Sequence, residues 1–344
     1  MHAERFRHLL DTPGPFVSVY FDDSHDTADA AAQLDARLRD IRKRLEDASV
    51  EDSVIAAIDS VVRAKHPPVG RSGRCVIAAG STVALDEHLI RPPAATELRV
   101  SQLPYLLPVI EHGMLHTSYL LVAVDHTGAD ISFRDGQTRT ETVEGSGYPV
   151  HKAHKADTAG YGGPQGRVDE AVRKNLREVA DRVTHLVDET GAGIVFVTGD
   201  ARAELMTELP ERVAAKAVPL QGGGRAAGTD EAEVHHEIGQ QYLRLRQAAI
   251  DDAAARFAAG LGTGLAVEGL THVATALRDG SVDTLIIGNV GDATITDQDG
   301  ARRADEALPM LAVATGAALV RVDERLNPAD GIAAVLRYAD PNVG

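Results

Sequence analysis

The apolar run Phe16-Val-Ser-Val-Tyr-Phe21 predicts a strand that ends in the polar stretch Asp22-Asp-Ser-His-Asp26. Leu34, Leu38, Ile41 and Leu45 then recur at helical spacing, and Arg37, Arg39, Arg42, Lys43 and Arg44 lie between them as a basic face. A second helix is expected over about Val54–Ala64, stopped by Pro67-Pro68, and Cys75–Ala79 reads as a buried strand. The stretch Leu103–Pro108 reads as linker or edge structure.

From Ser118 the pattern starts again. Tyr119–Val124 and Ala129–Phe133 flank Asp125-His-Thr-Gly128, whose residues suit a tight turn, so a hairpin is expected. A polar segment from about Gly145 to Gly166 interrupts the periodicity. Val172, Leu176, Val179, Val183 and Leu186 then mark a helix over Asp169–Asp188. Gly193–Thr198 is expected as a buried strand, Arg202–Leu209 as a short helix ended by Pro210, and Gly222-Gly-Gly-Arg225 as a flexible loop. Thr229 is placed to cap a long helix reaching about Ala259. After Gly260-Leu-Gly-Thr-Gly264 come a helix at Val267–Leu277, a strand at Val282–Ile287, a helix at Pro309–Thr315, and strands at Ala318–Val322 and Ile332–Tyr338. No internal repeat is seen. Strands alternating with helices predict sheets flanked by helices, an α/β fold.

The 344 residues allow two or three domains. The expected division is an N-terminal α/β domain at 1–115, a middle domain at 116–228, and a long helix with a C-terminal α/β domain at 229–344. With aromatics at 4% and no Trp, the cores must be built from Val, Leu, Ile and Ala. A net charge of −16 argues against coating of nucleic acid or membrane by the whole surface. Cys75 is the only cysteine, so an intrachain disulfide and a cysteine-based zinc site are excluded. Met1–Leu10 lacks the apolar stretch of a secretion signal, and no apolar run approaches the roughly 20 residues that cross a bilayer. The expectation is a cytoplasmic protein with no membrane partner.

Local charge departs from the global balance between Pro149 and Arg177. There Lys152, Lys155, Arg167, Arg173, Lys174 and Arg177 outnumber Asp157, Asp169 and Glu170, a net of +3, and His151 and His154 can add to it. The apex Gly160-Tyr-Gly-Gly-Pro-Gln-Gly166 has little side-chain bulk, which permits close approach to another surface. Cationic flanks on a thin tip suit insertion among phosphates, and Tyr161 can stack on a base; a solvated loop has the same composition. The pairs His151/His154 and His235/His236 lack a third ligand at diagnostic spacing and read as solvated histidines, and no cofactor is expected. Gly260-Leu-Gly-Thr-Gly264 follows a helix rather than a strand, and Gly222-Gly-Gly-Arg225 lacks the Lys-Ser/Thr of a phosphate loop. Both read as connectors.

Over roughly Ser118–Tyr338 the chain resembles the bacterial homologues of archaeal and eukaryotic class-1 peptide-chain release factors. The hairpin Tyr119–Phe133 is similar to the opening of their middle domain, and the basic segment stands where that domain carries its Gly-Gly-Gln tip. Arg173-Lys-Asn-Leu-Arg-Glu-Val-Ala-Asp181, Ile194–Gly199 with Leu205–Leu209, Val267–Leu277 with Gly280–Ile286, and Gly331-Ile-Ala-Ala-Val-Leu-Arg-Tyr338 resemble successive family signatures. The resemblance implies a three-domain release-factor-like architecture of mixed sheets flanked by helices.

Two departures matter. The tip reads Gly162-Gly-Pro-Gln-Gly166, so Pro164 separates the glycine pair from Gln165, and the Asn-Ile-Lys-Ser codon-reading motif is missing from the first block. This combination is similar to the Balon-type branch of the family. It implies a non-enzymatic hibernation factor of stress and dormancy that occupies the ribosomal A site and contacts rRNA of both subunits, alongside elongation factor Tu. The rRNA-binding residues would be His151, Lys152, His154, Lys155, Tyr161, Gly162, Gly163, Pro164, Gln165, Gly166, Arg167, Arg173, Lys174 and Arg177. Arg37, Arg39, Arg42, Lys43 and Arg44 are candidate decoding-centre contacts. The last domain, with 6 basic and 12 acidic residues from Gly260 onward, would face protein. Two alternatives stay open: a rescue factor that hydrolyses peptidyl-tRNA through Gln165, and a stress-response adaptor that binds other proteins.

Overall fold

The computed structural model describes residues 3–64, 70–114, 118–134, 138–147, 164–225, 231–297, 300–322 and 326–339, with backbone alone at 164–167 and 297. In the N-terminal segment a 3-10 helix, Ala3–Leu9, precedes β1 (Phe16–Asp22), α1 (Ala30–Asp47), α2 (Asp52–Ala64), β2 (Gly73–Ala79), β3 (Thr82–Leu89), β4 (Glu97–Ser101) and α3 (Leu107–His112). The strands form an antiparallel sheet in the order β3-β2-β1-β4. The stretch expected as linker is therefore partly the helix α3, whose Leu107, Val109 and Ile110 are buried.

The middle segment contains β5 (Tyr119–Val124), β6 (Gly128–Arg134), β7 (Thr138–Glu144), α4 (Pro164–Thr190), β8 (Ile194–Thr198), α5 (Arg202–Glu208), α6 (Glu211–Ala214) and β9 (Ala217–Pro219). Its mixed sheet runs β7-β6-β5-β8-β9, with β5, β8 and β9 parallel. Leu120, Val122 and Val124 alternate onto one face with Ile131, Val195 and Val197, and pack against Leu176, Val179, Val183 and Leu186 of α4. Tyr119 and Phe196 meet edge-to-face at 5.4 Å on the opposite face, which is also buried.

The last segment starts with α7 (Glu231–Leu261), followed by β10 (Ala266–Glu268), α8 (Leu270–Arg278), β11 (Val282–Ile287), the ribbon β12 (Thr294–Asp297) and β13 (Gly300–Arg303), α9 (Ala304–Thr315), β14 (Ala318–Arg321) and β15 (Ile332–Leu336). Its main sheet runs β10-β15-β11-β14. Two expectations are corrected. The helix read from Val267 begins at Leu270, because Gly269 turns at φ +87° and the Asp330 carboxylate accepts from the Leu270 amide at 3.0 Å. The helix read from Pro309 begins earlier, at Ala304, and contains the proline.

The chain divides into two compact units, His116–Gln240 and a second built from Met1–Leu115 together with Gln241–Gly344. Alternation along β1 explains why the two ends of the chain combine. Val17, Val19 and Phe21 face α1 and α2, whereas Phe16 and Tyr20 belong to a core shared with Leu277, Leu285, Leu308 and Ile332. Both faces of β1 are thus buried, which accounts for its nearly continuous apolar run. A polar pin reinforces this join. The Arg99 guanidinium donates to Asp305 at 2.8 Å and Glu306 at 3.2 Å, and stacks 3.6 Å from the Tyr105 ring. Arg74, fully buried, is likewise satisfied by Asp86 at 2.7 and 3.1 Å and by the Val61 and Val62 carbonyls.

Replacing Arg99 by Ala leaves the buried Glu306 carboxylate without its guanidinium, while Asp305 keeps Arg303 at 2.9 and 3.0 Å, and should cost about 1–3 kcal/mol. Denaturant unfolding of the variant is the check, and it should lower the transition of the terminal unit while leaving that of the middle unit in place.

Candidate nucleic-acid interface of the middle unit

The residues expected to carry binding surround the connection between β7 and α4. His151, Lys152, His154, Lys155, Tyr161, Gly162 and Gly163 lie outside the described residues. Pro164, Gln165 and Gly166, expected at the loop apex, form the first turn of α4 together with Arg167. A proline is suited to that position because its missing N–H has no intrahelical acceptor there and its φ is already helical. Further along, Arg173, Lys174 and Arg177 are exposed on α4, and the Arg177 Nε pairs with Glu208 at 3.2 Å.

The stem of the connection is tightly built. As the chain leaves β7, the Gly145 amide donates to the Thr127 carbonyl at 2.8 Å. The Ser146 amide donates to Glu178 at 2.8 Å, and the Ser146 hydroxyl donates to the same carboxylate. The Gly147 amide donates to Asn175 Oδ1 at 2.7 Å, while Asn175 Nδ2 donates to the His126 carbonyl at 3.0 Å. Asn175 is 2% exposed, so its two bonds satisfy a side chain that would otherwise be buried at a cost. A Cβ at Gly145 would lie 2.2 Å from the Asn175 carboxamide, and one at Gly147 would lie 2.5 Å from its oxygen and 2.8 Å from the Ala171 carbonyl. Only glycine permits the strand exit to approach the helix this closely.

Two further contacts stiffen the stem. Glu141 of β7 and Arg182 of α4 form a two-pronged pair at 2.6 Å on each arm. Arg225 gathers Asp125 at 3.1 Å, Asp130 at 3.4 Å and Glu144 at 2.7 Å, tying its segment to the hairpin end and to β7. The Gln221 and Gly222 amides donate to Glu237 at 2.7 and 2.9 Å, and Thr198 donates to the Gly222 carbonyl. The loop read as flexible is therefore anchored at Gln221, Gly222 and Arg225. The hydroxyl and amide of Ser146 hold the Glu178 carboxyl below its usual range, helped by the Lys174 charge.

Asn175 and Glu178 were not among the candidate site residues read from the sequence, and Arg225 entered only as part of a connector. A signal existed for one of them, since Asn175 interrupts the apolar stripe of a helix beside Leu176, where an amide needs partners. The basic face of α1 is mixed in character. Arg39, Arg42 and Lys43 are exposed, whereas Arg37 pairs with Asp22 at 3.3 Å and Arg44 donates to the Thr96 carbonyl at 3.1 Å. Among the described residues no group of three or more His, Cys, Asp or Glu is placed to hold a metal ion, and no helix is long and apolar enough to cross a membrane.

With this geometry in place, comparison with known proteins gives the class. Residues 118–263, which include the whole hairpin, α4 and α7, match bacterial archaeo-eukaryotic release factor family 2. The chain belongs to that family. It is 44% identical to the Mycobacterium tuberculosis (strain ATCC 25618 / H37Rv) protein Rv2629 and to MT2704 of strain CDC 1551, with 99% of this chain and 98% of each relative covered. Among solved structures it is similar to the archaeal translation termination factor aRF1, at 18% identity and TM-score 0.24, covering 98% of this chain and 97% of that one. It is also similar to Archaeoglobus fulgidus Pelota, at 13% identity and TM-score 0.39, covering 98% and 92%.

Asn175→Ala should destabilise the middle unit by about 1–3 kcal/mol, because the Gly147 amide and the His126 carbonyl lose their partner together. Chemical denaturation measures this. The Glu178 contribution is present above the ordinary carboxylate pKa and is lost as pH falls through the depressed value. The protection factor of the Ser146 amide, with the intrinsic pH dependence of exchange divided out, should therefore fall as Glu178 protonates, and Glu178→Gln should weaken that dependence.

Proposed function

We propose that this protein is a ribosome-binding hibernation factor. It occupies the A site of idle ribosomes and directs its basic β7–α4 segment towards the peptidyl-transferase centre, without catalysis. The observation that carries the reading is Pro164, placed between the glycine pair and Gln165 at the start of α4. In release factors the Gly-Gly-Gln backbone and glutamine position the hydrolytic water. An intervening proline removes an amide donor, fixes φ and shifts the glutamine by one residue. An error of about 1 Å in such an arrangement can cost on the order of a hundredfold in rate. Membership of a release-factor family and the local net positive charge on an anionic chain support contact with rRNA phosphates at Lys152, Lys155, Arg167, Arg173 and Lys174. In this reading the exposed Arg39, Arg42 and Lys43 face the decoding centre, and the acidic last segment meets protein surfaces such as elongation factor Tu.

Retention of Gln165 itself favours one second reading, rescue of stalled ribosomes by hydrolysis of peptidyl-tRNA. A peptidyl-tRNA release assay separates the two. No Gln165-dependent release is expected, and release abolished by Gln165→Ala would establish the rescue activity instead.

Co-sedimentation with purified ribosomes tests the contact surface. Binding should weaken as salt rises, and reversing Lys152, Lys155, Arg173 and Lys174 to Glu should abolish it at physiological ionic strength. Binding unchanged by the four reversals would contradict this surface.

A further inference from the structure

The end of the N-terminal sheet buries a carboxyl group that the surrounding fold does not pair. Asp23 follows β1 directly and is 0% exposed. Its backbone is well satisfied. The Asp23 amide donates to the Ser72 carbonyl at 3.0 Å, and the Ser72 hydroxyl donates back to the Asp23 carbonyl at 3.0 Å. Ser24 Oγ donates to the Ser72 carbonyl and accepts from the Ser72 amide, both at 3.2 Å. The amides of His25 and Gly70 donate to each other's carbonyls at 2.8 and 3.1 Å. These bonds carry the β1–β2 pairing past the strand ends as a short ladder. Asp22, one residue earlier, holds Arg37 of α1 at 3.3 Å, so the ladder and the base of α1 share one strand end.

The side chain lacks what the backbone has. Neither carboxyl oxygen of Asp23 has a hydrogen-bond partner among the described residues. Arg74 lies 3.5 Å away but is committed elsewhere, with two bonds to Asp86 and one each to the Val61 and Val62 carbonyls. Among the described residues, the charged or titratable groups facing Asp23 are Arg74 of β2, Asp86 and His88 of β3, and His25 on its own segment. His88 Nδ1 stands 3.9 Å from Asp23 Oδ2, beyond hydrogen-bond reach. Two carboxyl groups therefore share one buried guanidinium, and an ionised Asp23 is a buried charge without hydrogen bonds, which is a costly state.

We propose that Asp23 is a proton-operated latch, whose neutral carboxyl closes the ladder and whose ionisation loosens it. With its proton the group carries no charge and can stay dry. Without it, the carboxylate gains by opening the ladder to water. Burial pushes the Asp23 carboxyl above the usual carboxylate range, against the pull of Arg74 and His25 and with a smaller push from Asp86. The closed form thus binds the proton more tightly than the open one. Closure is fully favoured below the ordinary carboxylate pKa, and that favour is lost as pH rises through the raised value. The dependence runs opposite to that of Glu178, whose contribution disappears on acidification. The latch operates in the free protein and is independent of ribosome binding.

Hydrogen exchange at the His25 and Gly70 amides of the full chain, with the intrinsic pH dependence divided out, reads the ladder directly. Protection should rise as pH falls through the Asp23 titration, by up to about tenfold per pH unit, the limit for one linked proton. Asp23→Asn, a neutral side chain of the same shape, should hold the high protection at every pH. His25→Gln and His88→Gln should each keep the dependence of the parent chain. A carbon-13 NMR titration of the Asp23 carboxyl in the unmodified chain provides a reading that needs no variant, and its midpoint should lie above the ordinary value of about 3.9.

Protection that stays flat or falls on acidification would overturn the latch, as would an Asp23→Asn chain that retains the dependence. Loss of the dependence in either histidine variant would assign the proton to an imidazole and overturn the role of Asp23. A carboxyl midpoint at or below the ordinary value would do the same, even where Asp23→Asn fails to fold.

Discussion

A carboxamide buried on α4 accepts from one backbone amide and donates to one backbone carbonyl, and the presentation of the basic segment rests on that pair of bonds. Asn175 joins Gly147, where the chain leaves β7, to His126 in the turn of the hairpin. The same helix opens at Pro164, so the two ends of the intervening stretch are held by a single rigid element. A long connection would ordinarily carry its charges on an unconstrained base. Here the base is restricted by a buried amide, by the Glu178 carboxylate and by two glycines that admit no side chain.

The terminal unit solves a different problem by similar means. Its N-terminal sheet is covered by α1 and α2 on one face only, and the other face finds its cover in the last hundred residues of the chain. Apolar burial drives this union, while Arg99 with Asp305 and Glu306 supplies directional bonds that fix its geometry. The first and last segments are accordingly one body. An anionic protein can carry localised positive surfaces without losing the solubility that its overall charge provides.

Much of this fold is legible in the sequence. The apolar strands β1, β2, β5, β8 and β11 and the amphipathic helices α1, α2 and α4 declare themselves by period, because each buries a continuous face. Strands β7 and β3 are harder to read. In β7, Thr138-Arg-Thr-Glu-Thr-Val-Glu144, an edge strand keeps only Val143 as an apolar residue, and β3 alternates against charged positions. Short β10 disappears into the helix that follows because only Gly269 separates them. The basic segment can be seen as a composition shift, whereas its stem cannot, since Asn175 and Gly147 become partners only after β7 and α4 are assembled.

The central claim is that a cationic segment on a rigid stem reaches the rRNA of an idle ribosome. Cryo-electron microscopy of vacant ribosomes incubated with this protein tests it most directly. The account predicts density for the chain in the A site, with the stretch between Gly147 and Arg177 directed at the peptidyl-transferase centre. Ribosomes with an empty A site at saturating protein, or a bound chain whose middle unit faces away from that centre, would contradict it.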